Sequence, residues 1–140
     1  MKLALTATPS RAHFAPILLQ GEIAKVFALA AELGYDGVEL HLRQPGDIDW
    51  AATRKLLTDY GLGVPTLGTG MAAGQDGLTF ADPDPEIRRM AVERVKEHIG
   101  LAGHLGSAVT IGLLSGRLGS DTQQRHVRRA AALACLEECC

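Results

Sequence analysis

A glutamate and a histidine two residues apart, in Gly37-Val-Glu-Leu-His-Leu42, are the residues best suited to polar chemistry in this chain. A carboxylate accepts protons or hydrogen bonds, and an imidazole titrates near neutrality and can donate or accept. The segment alternates with period two, so Val38, Leu40 and Leu42 share one strand face while Glu39 and His41 share the other. With the aliphatic face against helices, both polar side chains point to the opposite side, and His41 lies near the strand's carboxyl end. Carboxyl ends of parallel strands are where barrels and open sheets place ligands. A structural role competes for Glu39, as the partner of Lys2 or Thr110 on a neighbouring strand. The first strand shows a weaker split, Leu3 and Leu5 against Ala4 and Thr6. The last sets Val109, Ile111 and Leu113 against Ala108, Thr110 and Gly112. Small and polar residues thus line one common face, as in a barrel interior that opens into a polar site. Arg117, in the Ser115-Gly-Arg loop after the last strand, either meets an anionic substrate group or lies on the surface.

Other candidates carry less. Gly68-Thr-Gly70 with Gly74 imitates a dinucleotide-binding glycine pattern. It leads into Gln75-Asp-Gly77 rather than straight into a helix, so a pyrophosphate would find no helix N-terminus. A loop at a strand's carboxyl end is expected there. His98 and His104 lie six apart on a helical pattern and point to different sides, unlike the i, i+4 pair of zinc proteases. His13 and His126 read as solvated. Cys135 and Cys139 lie at i, i+4 without partner ligands and read as a helix surface bearing thiols.

Short β-like runs alternating with longer helical patterns position these residues. The first run covers residues 2–7. Ile23, Val26, Phe27, Ala30 and Leu33 mark a helix over 22–33 that Gly34 ends. After the strand at 37–42, Asp47 is expected to cap a helix over 48–60 closed by Gly61. A third strand follows at 63–67, then a glycine-rich stretch over 68–82. Asp84 and Pro85 form an N-cap and N1 pair for a helix over 85–104, which Gly106 ends. Residues 108–114 read as a fourth strand, and Ser120 with Gln123 as a capping box opening a final helix. This β-α-β-α-β-α-β-α order means an α/β fold with a parallel sheet and right-handed crossovers.

At 140 residues the chain is one domain or part of one. Fourteen basic against sixteen acidic residues leave a formal charge of −2, and aromatics are 4%. A nucleic-acid surface needs a basic excess and stacking rings, so no nucleic-acid partner is expected. No apolar run approaches the roughly 18 residues of a membrane span, and the amino-terminal segment lacks the apolar core of an export signal. No membrane partner is expected. Three cysteines, Cys135, Cys139 and Cys140, fit no disulfide framework and predict a reducing, cytoplasmic setting. The last helical pattern, Ala130-Ala-Ala-Leu-Ala-Cys-Leu136, runs on to Cys139-Cys140 without a cap and reads as truncated.

Gly34-Tyr-Asp-Gly-Val-Glu-Leu40, then Asp84-Pro-Glu-Ile-Arg88 through Ile99-Gly-Leu-Ala102 and Leu105-Gly106, then Val109-Thr-Ile-Gly-Leu113, in this order and spacing, resemble the sugar phosphate isomerase/epimerase family. The resemblance covers essentially the whole chain. It implies the xylose isomerase-like TIM barrel, a fold shared with family-2 apurinic endonucleases. It also implies an enzyme holding Mn²⁺, Mg²⁺ or Co²⁺ that isomerises or epimerises ketoses and aldoses by proton transfer between carbons. The family's metal ligands, two Glu, an Asp and a His, come from second-half strands. A full barrel takes about 250 residues and eight strands, whereas residues 1–140 supply four. The expected fold is therefore the (βα)4 N-terminal half of a TIM barrel, with parallel strands in sequential order and helices on the outer side. No catalytic or metal residue carries over. Substrate-shaping roles fall by position to Thr6, His41, Thr66 and Arg117, beside Glu39 from the strand-face pattern. The expected partner is a small sugar or sugar phosphate. Alone, the chain is expected to bind no metal, to be inactive, and to self-associate through open strand edges.

Two other classes compete. One is an apurinic endonuclease-like DNA-repair fragment, opposed by the missing basic excess. The other is a flavodoxin-like binding module, which fits by length. It requires helices on both sides of a sheet ordered 2-1-3-4 and a phosphate loop after the first strand, where this chain has Thr8-Pro-Ser-Arg.

Overall fold

A computed structural model describes residues 1–12 and 17–140; the expectation for His13 lies outside the described residues. In chain order the elements are β1 (Ala4–Thr8), β2 (Leu19–Gln20), α1 (Ile23–Glu32), β3 (Gly37–His41), α2 (Trp50–Tyr60), β4 (Thr66–Gly68), α3 (Gly70–Asp76), α4 (Pro85–Leu105), β5 (Ala108–Thr110) and α5 (Thr122–Cys139). The strands form one parallel sheet in the order β2-β1-β3-β4-β5. From β1 through β3 and β4 to β5 the order is sequential. The two-residue β2 is an edge addition, with no helix among the described residues between it and β1.

All three long helices that touch the sheet cover the same face. Val26, Phe27 and Ala30 of α1, Leu57 of α2, and Leu101 and Ala102 of α4 pack on Leu5, Ala7, Val38, Leu40, Leu42 and Leu67. One-sided cover with sequential order is the geometry of a partial barrel, and it overturns the flavodoxin-like module, whose helices lie on both faces. A second core joins α4 (Ala91, Val92, Val95) to Phe80, Leu114 and Cys135 of α5. Cys135 is thus buried rather than part of a helix surface; burial pushes its thiol, and that of Cys139, above the usual range. No helix among the described residues is long and apolar enough to cross a membrane.

Local chemistry explains the boundaries. The N-cap of α2 is Asp49, whose Oδ1 accepts from the Ala51 and Ala52 amides at 2.9 Å each. Asp47, the expected cap, instead closes the single 3-10 turn Pro45–Asp47, accepting from the Arg43 and Gln44 amides. Asp84 caps α4 and Gly106 ends it at φ 68, as expected. For α5 the cap is Asp121, accepting from the Gln124 amide at 2.8 Å, and not Ser120.

Three stretches depart from their expected form. The glycine-rich segment holds α3, with Met71 and Ala72 buried, where a loop was expected. β5 stops at Thr110, short of residue 114, because Ile111 turns helical and the chain coils through Gly112–Ser115 to bury Leu114. The third strand is bulged. Gly37 bridges Gly63 while Leu40 pairs with Leu67, so three steps along β3 match four along its partner. Pro65, which has no N–H, is tolerated at such a bulge. Val64 and Leu67 then both reach the core, and Thr66 turns away from it.

Candidate functional site

The face the helices leave uncovered carries the polar residues. Thr6 pairs with Glu39 across β1 and β3, His41 with Gly68 across β3 and β4, and Gly68 with Thr110 across β4 and β5. Thr66 lies one residue before Leu67 and shares this side. Four expected residues, Thr6, Glu39, His41 and Thr66, therefore occupy one half-buried surface. His41 and Gly68 end their strands at the carboxyl edge, the ligand edge of parallel sheets. Arg117 is not with them. It is exposed and lines a separate cavity formed by the segments that follow β4 and β5.

His41 defines the electrostatics. Both of its ring nitrogens are buried without a hydrogen-bond partner among the described residues. Glu39 Oε1 stands 3.6 Å from Nε2, beyond hydrogen-bond distance. Glu39 thus meets His41, and not the expected structural partners Lys2 or Thr110. Burial pushes the imidazole below its ordinary range, and the Glu39 carboxylate only partly restores it. A shift in that direction favours the neutral ring, which presents one donor and one acceptor beside a carboxylate. A sugar hydroxyl, which donates and accepts at once, satisfies that set.

Gly68 makes the ring's placement possible. A Cβ there would lie 2.6 Å from His41 Nδ1 and 2.7 Å from Cε1. The absence of a side chain lets the imidazole lie flat over the β4 backbone. No sequence motif marks this role, since only the register brings residue 68 under residue 41.

A second arrangement also went unread. Asp76, at the end of α3, accepts from Arg43 Nε at 2.7 Å and from Arg94 Nη1 at 2.9 Å, and Arg94 also donates to the Arg43 carbonyl. Burial alone would raise the Asp76 carboxyl, but the two guanidiniums outweigh it and hold it below the usual carboxylate range. The clamp fixes the loop just past His41 to both α3 and α4. Among the described residues, the other histidines are structural or solvated. His98 is buried, with Nδ1 donating to the Arg94 carbonyl at 2.8 Å; His104 stacks on Trp50 at 4.3 Å; His126 is exposed.

A hard divalent ion takes about six oxygen-rich ligands. Glu39 and His41 offer two, and among the described residues no three His, Cys, Asp or Glu side chains converge. The family's metal does not fit this donor set. Glu39 and His41 supply this face with hydrogen-bond donors and acceptors but with too few ligands for such an ion.

The family model of the xylose isomerase-like TIM barrel matches residues 27–140, and the chain belongs to that family. Its relatives are sugar epimerases. L-ribulose 3-epimerase of Mesorhizobium japonicum is 29% identical over 123 residues, 85% of this chain and 40% of the relative. The crystal structure of D-allulose 3-epimerase from Methylomonas sp., in complex with D-allulose, superposes with a TM-score of 0.63 at 25% identity, covering 84% of this chain and 40% of that one. The 3-keto-D-glucoside 4-epimerase of E. coli superposes at 0.64 over 99% of this chain and 52% of its own, at 16% identity, a likeness of fold alone. The chain thus spans 40% of the length of the curated relative it matches.

Proposed function

We propose that residues 1–140 form the N-terminal half of a sugar epimerase or isomerase barrel acting on a ketose. The carrying observation is the uncovered sheet face, where His41, with no hydrogen-bond partner among the described residues, lies over Gly68 beside Glu39. Thr6, Glu39, His41 and Thr66 form the wall that receives the sugar hydroxyls. Proton transfer, and the divalent metal that the resemblance implies, belong to strands beyond β1–β5. The chain alone is inactive. Among the described residues β2 and β5 are the end strands of the sheet, edges that the other half would pair with and that alone favour self-association.

A chimera tests this reading. The chain is fused to the carboxyl-terminal half of the Mesorhizobium L-ribulose 3-epimerase, and epimerisation of L-ribulose is followed; the relative's own halves, split and rejoined at the same place, are the control. An active chimera is expected to lose at least about tenfold in kcat/KM with His41→Ala, as the loss of a hydrogen bond in a desolvated site predicts. An active chimera indifferent to both His41→Ala and Glu39→Gln contradicts the assignment.

A further inference from the structure

The separate cavity that takes in Arg117 has a volume of about 420 Å³. It lies at the same end of the sheet as His41, since its walls are the segments leaving β4 and β5. Two guanidiniums line it, Arg117 from the loop and Arg128 from α5. Arg128 Nη1 donates to the Arg117 carbonyl at 3.3 Å, which brings its head group to the loop. Arg43, Arg89 and Arg94 are engaged by carboxylates, but neither Arg117 nor Arg128 is in an ion pair among the described residues.

The one carboxylate in the lining, Asp82, accepts from the Asp84 amide at 2.9 Å. Arg88, outside the lining, donates to the Asp82 and Pro83 carbonyls and so holds this wall in place. The loop is also held in shape. Gly116 has φ +86, and a Cβ there would collide with the Thr79 hydroxyl and with Ala81, so the backbone at 115–117 is pressed against 79–81. A preshaped, hydroxyl-edged cavity with unpaired guanidiniums from two elements is suited to a compact anion.

We propose that this cavity binds a phosphate group, either as inorganic phosphate or as the phosphoryl end of a phosphorylated sugar. Charge count favours phosphate over a carboxylate. A phosphate monoester carries about −1.5 to −2 at pH 7 and offers three acceptor oxygens, enough to engage both arginines, whereas a carboxylate is satisfied by one. The site is independent of the sugar assignment, because none of Thr6, Glu39, His41 and Thr66 lines it.

The test is a titration of the protein with inorganic phosphate, read from backbone amide resonances, with sodium chloride holding ionic strength constant. Saturable shifts centred on Thr79 and residues 115–117 are expected, with affinity falling about tenfold or more in Arg117→Gln and in Arg128→Gln, as for a lost charge-assisted contact. Arg129→Gln, on the same helix but outside the cavity, is expected to leave the affinity unchanged. A parallel titration with ketose phosphate distinguishes the two sources: tighter binding than inorganic phosphate at the same residues assigns a sugar phosphate, and equal binding assigns the free ion. Shifts that do not saturate, that are unaffected by Arg117→Gln and Arg128→Gln, or that weaken equally in Arg129→Gln overturn the proposal. Because the phosphate arm needs neither Glu39 nor His41, its failure is separable from failure of the sugar-binding wall.

Discussion

The uncovered face is shaped by one imidazole, its pKa lowered by burial, and one glycine that makes room for it. His41 and Glu39 were legible in the sequence, because strict alternation in residues 37–42 leaves only one way to separate the aliphatic from the polar side chains. Gly68 was not, because its need for empty space arises from a residue twenty-seven positions earlier that only β3–β4 pairing places above it. The His41 Cε1 proton is predicted to titrate with a midpoint below the ordinary 6.5. With the folded-state pKa lowered, the unfolded chain binds the extra proton first. Stability is therefore full above pH 6.5 and declines as pH falls through the window down to the lowered value. His41→Gln should flatten that decline, as measured by urea unfolding across pH. Gly68→Ala should force the ring off the β4 backbone, costing about 1–3 kcal/mol. A ring displaced into solvent then titrates nearer 6.5, which proton NMR detects; an unshifted His41 midpoint in a folded Gly68→Ala protein contradicts the cradle.

Elements with strong local punctuation were readable, and those held by distant contacts were not. The Asp84-Pro85 start and Gly106 stop of α4 survive intact in the structure. α3 contradicts its own composition, since Gly70 and Gly74 are poor helix formers. It is held from outside: the Thr69 hydroxyl is shared between the Thr110 and Ile111 carbonyls, Thr8 Oγ1 donates to Met71 Sδ at 3.1 Å, and Asp76 is clamped between Arg43 and Arg94. Those partners lie 33 and 18 residues from Asp76, beyond any local pattern. Thr66 was reached through the family resemblance and not through alternation, because the bulge at Pro65 breaks the period-two rule that separates Glu39 and His41 from their neighbours. Asp76→Asn is predicted to destabilise the protein by about 1 kcal/mol, a modest value because Arg43 is half exposed. It should also speed amide hydrogen exchange in α3 while leaving α4 protected. Equal exchange in α3 before and after the substitution contradicts the clamp.

At the scale of the whole molecule, the sheet has a helix-covered back, a polar front and, among the described residues, two open edges. The partial barrel was legible from the β-α alternation and the order of the family motifs, and the extra edge strand β2 was not, because two residues carry no periodicity. Open parallel edges next to a half-buried front predict concentration-dependent association, which sedimentation velocity should show as a shift toward dimers or larger species with increasing concentration. Disruption of backbone pairing by Val109→Pro in β5 should reduce it if that edge is used.

We propose above all that β1, β3 and β4 supply a sugar-binding wall and not the proton-transfer machinery. The most direct measurement is exchange of the carbon-bound proton of a ketose in D₂O, followed by NMR with the purified chain and added Mn²⁺. The account predicts exchange no faster than in the protein-free control. Saturable, protein-dependent exchange at the carbon next to the carbonyl would show that residues 1–140 carry the reaction themselves, and would contradict it.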